Sequence, residues 1–151
     1  MENIDRVRLL NYLTTEIDAL YHQAAVKLGM SDSVLTVLYM LYEQDGSCLL
    51  SEIYKKCGIS KQTVNSALRK LEADGISYLE PYKGNAKKVV LTAAGKKYAQ
   101  ATIAKLYEAE MNAFASWSDE EIETYIRLIR KELVSLREQL DKMPQISWQR
   151  E

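Results

Sequence analysis

The chain is poor in the residues on which most catalytic and metal chemistry rests. Its 151 residues include one histidine, His22, and two cysteines, Cys48 and Cys57. That is too few for a His/Cys metal site, although carboxylate sites stay open; no metal or other cofactor is expected. The two thiols give no disulfide framework and suit a reducing compartment. The six glycines mostly mark the ends of elements. No phosphate-cradling glycine loop, nucleophile–base pair or HExxH-like motif appears, so the chain does not read as an enzyme. No apolar run approaches the roughly 18 residues of a membrane span. The opening MENIDRVRLL mixes charges early, unlike a secretory signal. A cytoplasmic protein without membrane contact is expected.

What the chain does have is an uneven distribution of charge. The formal net charge is −1, yet residues 46–95 hold eight Lys/Arg against four Asp/Glu, and the remainder is correspondingly acidic. A basic segment on an acidic body concentrates a positive field at one face. Within that segment LLSEIYKKCGIS places Leu50, Ile53 and Cys57 at helical spacing before Gly58, the pattern of the first helix and turn of a helix-turn-helix. Ser60 is a suitable N-cap for a second helix, SKQTVNSALRKLEAD, which Gly75 ends.

The second helix separates into two faces. Val64, Ala67, Leu68 and Leu71 share one side; Gln62, Asn65, Ser66 and Arg69 share the other, with Lys61 and Lys70 flanking and Ser60 and Thr63 at the start. Arg pairs with guanine, Asn or Gln with adenine, and Ser with several groups in a major groove. The same residues taken singly also describe an ordinary solvated helix face. Next, ISYLEPY reads as a strand with Pro81 confining it to an edge or terminus; KGNAKK is a turn, and VVLT is a returning strand. Lys83, Asn85, Lys87 and Lys88 sit at the tip of this hairpin. Cations there suit phosphate and minor-groove contact with double-stranded DNA. A winged-helix module that binds a partner protein is the competing function, and steep weakening by salt is what separates DNA binding from it.

LEADGI, the basic wing and VVLTAAG together resemble the MarR family of bacterial winged-helix transcription regulators. Leu71, Glu72 and Gly75 match the end of that family's recognition helix, and Val89, Leu91, Thr92 and Gly95 match its V-x-L-T-x-x-G run. The Asp-x-Arg that the family carries in its wing is replaced by Asn85-Ala86-Lys87. A cation is retained there, but the guanidinium suited to narrow minor grooves and its carboxylate are lost. The resemblance implies a mainly α fold with a small β-hairpin wing (α+β): a winged helix-turn-helix head at about 32–92 on a helical dimerisation region at 1–30 and 93–143. One domain over 1–151 is expected, since a chain of this length buries roughly two thirds of its unfolded surface.

Outside the head the pattern is helical. A helix from about Ile4 to Leu28 carries Ile4, Val7, Leu10, Leu13, Ile17, Leu20 and Ala24, and Gly29 ends it. Ser31 or Asp32 caps the next, whose Leu35, Leu38, Tyr39 and Tyr42 should pack beneath the head. Thr92 starts a long helix to about Ser116, and Ser118-x-x-Glu121 is a capping box opening the last one. That helix places Ile122, Ile126, Ile129, Leu133, Leu136 and Leu140 at intervals of 4, 3, 4, 3 and 4, an a/d seam until Pro144 stops it. The seam packs either on the chain's own first helix or on a second copy. The resemblance implies the second, a homodimer presenting recognition helices about 34 Å apart to a near-palindromic operator.

The resemblance also implies a small aromatic or phenolic effector between the dimer helices and the head, making the protein a ligand-responsive repressor. Tyr21, His22, Tyr39 and Tyr42 are the candidates. Each tyrosine equally fills a helix interface, and His22 equally sits at the surface. Cys57 takes an aliphatic position of the family and reads as core. The peroxide-sensing branch carries its reactive cysteine near the chain's start, and this chain has none there.

Overall fold

A computed structural model describes residues Glu2–Trp148. Met1 and residues 149–151, the outermost part of the expected 1–151 domain, lie outside the described residues. The elements run α1 (Asn3–Lys27), α2 (Asp32–Glu43), β1 (Ser47–Leu49), α3 (Leu50–Lys56), α4 (Lys61–Ala73), β2 (Ser77–Pro81), β3 (Lys87–Leu91), α5 (Ala93–Ala101), α6 (Ile103–Phe114) and α7 (Asp119–Asp141). The fold is mainly α with a small antiparallel sheet, as expected. The chain forms two compact units, Met1–Ala109 and Glu110–Glu151.

The first unit is built on α2, whose Val34, Leu35, Val37, Leu38, Met40 and Leu41 are buried. Ser31 is its cap, the hydroxyl accepting from the Val34 N–H at 3.2 Å. The α2 face meets Ile53 of α3, Val64, Ala67, Leu68 and Leu71 of α4, Val89 and Leu91 of β3, and Ala99 and Ile103. Tyr39 and Tyr42 pack at the edge of this core, half-buried. α1 departs from α2 at 87° and buries only Ala25.

One element is added and one expectation is corrected. The hairpin wing forms as expected, β2 pairing with β3, and β1 also pairs with β3, giving a three-stranded sheet in the order β1-β3-β2. β3 is thus the central strand, and β2, which ends in Pro81, is an edge as proline requires. The expected single helix from Thr92 to Ser116 is instead two. Thr102 leaves helical dihedrals (φ −120°, ψ −73°) between α5 and α6. Its hydroxyl bonds back to the Tyr98 carbonyl at 2.7 Å. Thr14, Thr15 and Thr36 make the same return bond inside unbroken helices. The hydroxyl therefore does not by itself account for the break, around which Ala99, Thr102 and Ile103 are buried.

The motif residues have mechanical roles. Gly75 takes φ +70°, its N–H bonding to the Glu72 carbonyl while the Ile76 N–H bonds to that of Leu71. This is a Schellman end, which turns the chain sharply from α4 into β2. The Thr92 hydroxyl accepts from the Gly95 N–H at 2.9 Å and donates to the Gly75 carbonyl at 2.6 Å, joining the start of α5 to the end of α4. A Cβ on Gly95 would run into the Ile76 carbonyl oxygen, so only glycine fits there.

In the second unit the Ser118–Glu121 capping box forms as read from the sequence, with both reciprocal bonds present. Phe114, Trp117 and Tyr125 make an aromatic corner, with centroids 5.0 and 5.6 Å apart. α7 runs 23 residues and buries none of them. Among the described residues no single helix is long and apolar enough to cross a membrane.

Candidate nucleic-acid interface

α3 is held down by Ile53, and the chain turns through Cys57–Ile59 into α4. Ser60 caps α4, its hydroxyl accepting from the Thr63 N–H at 3.1 Å and lying 2.8 Å from the Thr63 hydroxyl. The first turn carries no acidic residue, so the partial positive charge of this helix end is not neutralised by the helix itself. Burial of Val64, Ala67, Leu68 and Leu71 fixes the helix's rotation. Lys61, Gln62, Thr63, Ser66, Arg69 and Lys70 are consequently exposed, with Asn65 half-buried. One guanidinium N–H of Arg69 donates to the Ser66 hydroxyl at 3.1 Å. Lys70 is drawn back along the helix by Asp74, at 3.0 Å.

Lys61 and Asn65, four residues apart on α4 and so on one strip of it, both engage Tyr54 of α3. The Tyr54 hydroxyl donates to Asn65 Oδ1 at 2.5 Å, and Lys61 Nζ stands 5.3 Å from the centre of its ring. The sequence reading missed Tyr54. The signal it left was weak: an aromatic beside the buried Ile53, in the helix preceding the recognition helix.

In the wing, residues 83–86 form a tight turn closed by the Ala86 N–H to the Lys83 carbonyl at 3.1 Å. Gly84 at φ +60° is its first central residue, as in a type II′ hairpin turn. Lys83, Asn85 and Lys87 are exposed and Lys88 is half-buried. The register pairs Glu80 with Lys88 and Pro81 with Lys87. Since side chains alternate along a strand, Lys87 and Lys88 lie on opposite faces of the ribbon. Lys88 Nζ stands 4.7 Å and Lys83 Nζ 5.8 Å from the centre of the Tyr82 ring. Tyr82, also missed, thus gathers two of the wing's cations at its ring.

Near this interface, charge and burial are ordered. Lys56 bonds Glu52 at 2.9 Å, which lowers the Glu52 carboxyl and raises the Lys56 ammonium from their ordinary values. Burial first, then the Glu52 charge, pushes the Cys48 thiol up. Burial likewise raises Cys57, whose Sγ touches Met40 Sδ at 3.7 Å, so it lies at the core's edge as read.

The other sequence candidates fall into two groups. Ile4, Val7 and Leu10 of α1 are all exposed, as are Ile126, Ile129, Leu133, Leu136 and Leu140 of α7; Ile122 is half-buried. The structure does not gather Tyr21, His22, Tyr39 and Tyr42 in one cavity. The His22 ring nitrogen Nδ1 bonds Asp32 at 2.8 Å, both side chains exposed. Tyr39 and Tyr42 each meet Tyr107, with ring centres 6.1 and 6.0 Å apart. Tyr42 lines a hollow of about 170 Å³ with Leu91 and Lys96, and Tyr39 a separate one of about 220 Å³ with Met40 and Cys57. Neither includes Tyr21 or His22.

A sequence model of the MarR family matches residues 28–76, from the end of α1 through α4. YcgE of Bacillus subtilis (strain 168), an HTH-type transcriptional regulator, is 28% identical over 142 residues, covering 92% of this chain and 91% of its own. Among solved structures, the MarR family regulator NMB1585 of Neisseria meningitidis aligns with a TM-score of 0.81 at 19% identity, covering 94% of this chain and 99% of its own. MepR of Staphylococcus aureus, in its complex with DNA, aligns at 0.68 with 26% identity, covering 85% and 94%. A capped helix-turn-helix with an outward polar face, a basic wing on the same body and the T-x-x-G lock behind them agree with these likenesses: residues 28–76 match the MarR family of transcriptional regulators, and the fold is that of solved MarR family structures.

Proposed function

We propose that this protein is a homodimeric, ligand-responsive repressor, not an enzyme, which binds a near-palindromic operator in the cytoplasm. The observation that carries the DNA reading is the outward face of α4. Its apolar residues are spent on the core, while Gln62, Ser66 and Arg69 stay exposed beside Asn65. In this reading Gln62, Asn65, Ser66 and Arg69 face base edges. Ser60, Lys61, Thr63 and Lys70 touch phosphates, and Lys83, Asn85, Lys87 and Lys88 hold the flanking backbone and minor groove.

The chain then works as one functional domain, with the head at about 32–92 and the dimerisation helices at 1–30 and 93–143. Dimerisation is supported by α1 and α7, whose apolar faces lie open in the single chain and would be covered by a second copy. A two-fold dimer delivers two α4 helices to successive major grooves. The effector, a small organic molecule, would act near Tyr21, His22, Tyr39 and Tyr42 by binding better to the form whose recognition helices are misspaced.

The test is retention of fragments of the protein's own genome, followed by anisotropy titrations at rising salt. Specific retention that weakens steeply with salt supports the reading. Salt-insensitive binding, or none, would favour a protein-interaction module.

A further inference from the structure

We propose that Tyr54 is a specificity-determining positioning residue. By occupying Asn65 Oδ1, it presents Asn65 to DNA as a hydrogen-bond donor that favours guanine over adenine. The inference rests on the DNA-binding reading above and deepens it.

An asparagine that reads adenine in the major groove does so with both ends of its amide. Oδ1 accepts from adenine N6 while Nδ2 donates to N7. That pairing needs the two ends to lie side by side at the base edge. Here the Tyr54 hydroxyl donates to Oδ1 at 2.5 Å from α3. One lone pair of the oxygen is thereby committed to the protein, while both Nδ2 hydrogens remain free to be donated. Guanine offers two acceptors, N7 and O6, to such a donor, whereas adenine offers N7 and opposes it with its own N6 donor.

Tyr54 is well placed to hold this orientation. Its ring is half-buried at the edge of the core, and Lys61, one turn before Asn65, stands over the ring at 5.3 Å. The tyrosine is therefore gripped from α4 at two points, and its hydroxyl is fixed relative to the helix it orients. Asparagine at this position, which by residue type alone pairs with adenine, is redirected by a neighbour in the preceding helix.

The experiment uses the full-length protein and an operator recovered from its own genome. Each base pair of the half-site is substituted symmetrically in turn, and affinity is read by anisotropy. Wild type should prefer guanine to adenine at one base pair per half-site, and Asn65→Ala should lose that preference. Tyr54→Phe keeps the ring and its approach to Lys61 but frees Oδ1. It should move the guanine-to-adenine ratio at that pair alone by about fivefold or more, the lower end of what one bidentate base pairing discriminates, with the salt slope unaltered. In the Asn65→Ala background Tyr54→Phe should change nothing further.

Asn65→Asp serves as a second variant that does not depend on removing Tyr54. It keeps an acceptor for the hydroxyl and removes the donor, so the guanine preference should vanish. A Tyr54→Phe protein with the wild-type profile at every pair, or adenine preferred by wild type at the Asn65 pair, overturns the proposal while leaving DNA binding intact. Failure of wild type to retain any specific fragment overturns both readings together.

Discussion

α4 and α7 are the same kind of helix with opposite fates. Each opens on a serine N-cap, Ser60 and Ser118, and each carries one apolar and one polar face. In α4 the apolar face is closed off: Val64, Ala67, Leu68 and Leu71 are all 7% exposed or less. What remains open is polar. In α7 the apolar face is open along its length, with Leu133 53% and Leu140 52% exposed. Amphipathicity states that a face must be covered but not by what: the face of α4 is covered within its own chain, and that of α7 is left open in it. α4 is completed by its own chain and offers polar side chains outward. α7 offers hydrocarbon, which in water calls for another protein surface.

The sharpest way to break this comparison is to charge the open face. Ile129→Glu with Leu133→Glu should abolish association, or unfold a chain that has no stable monomer, as read by sedimentation and circular dichroism. A wild type that sediments as a monomer at every micromolar concentration would show that α7 needs no partner. The matched core change is Leu71→Ala in the head, which removes a side chain 2% exposed and should cost about 2–5 kcal/mol. That cost should not vary with protein concentration. If its partner is another molecule, as proposed, the cost of Leu133→Ala should instead depend on concentration and fade on dilution, where the wild type loses the same contact. Equal concentration dependence for the two would erase the distinction.

On the polar side, effects are smaller and appear only with DNA. Arg69→Ala should weaken binding by about 1–3 kcal/mol per half-site and relax discrimination at one base pair. Thermal stability should be nearly unchanged, since the side chain is exposed. A folded Arg69→Ala protein with wild-type operator affinity would remove Arg69 from the interface. In the wing, Lys87→Ala and Lys88→Ala together should weaken all sequences alike and reduce the salt slope by roughly 0.9 for each phosphate left without its cation. Because the two lie on opposite faces of the ribbon, each single change should contribute separately. A slope that only one of them moves would place a single face of the wing against the backbone.

How far these elements could be read without coordinates depended on whether their cause was local. The caps at Ser60 and Ser118, the end of α4 at Gly75 and the faces of α4 are set within a turn or two of chain and were legible; the cap of α2 was narrowed to Ser31 or Asp32. β1 was not, because three residues show no periodicity and Ser47–Leu49 is a strand only through its pairing with β3. The break at Thr102 was hidden as well, since AQATIAKL carries no glycine or proline to mark it. At the candidate interface the residue types and their outward face were visible. The orienting partners were not, because Tyr54 reaches Asn65 across 11 positions and Tyr82 meets Lys88 across a turn.

The smallest effect is expected at the cysteines, where the head's completed core should make chemistry slow. Burial raises both thiols above their ordinary value, and the thiolate is the reactive form. At neutral pH the folded protein should therefore hold less thiolate than an exposed cysteine would. A disulfide reagent should react slowly until denaturant is added, and mild peroxide should leave operator binding unchanged. Linkage fixes the direction of the pH effect. In the unfolded chain the thiols ionise at their ordinary, lower value, so the stability tied to them is fully present below that value. It declines as the pH rises past it, a window alkaline of neutrality. Folded thiols that react at the rate of free cysteine would mean that the core around Met40 opens readily. Loss of operator binding on oxidation, abolished in a Cys48→Ser, Cys57→Ser protein, would then turn the closed half of the comparison into a switch.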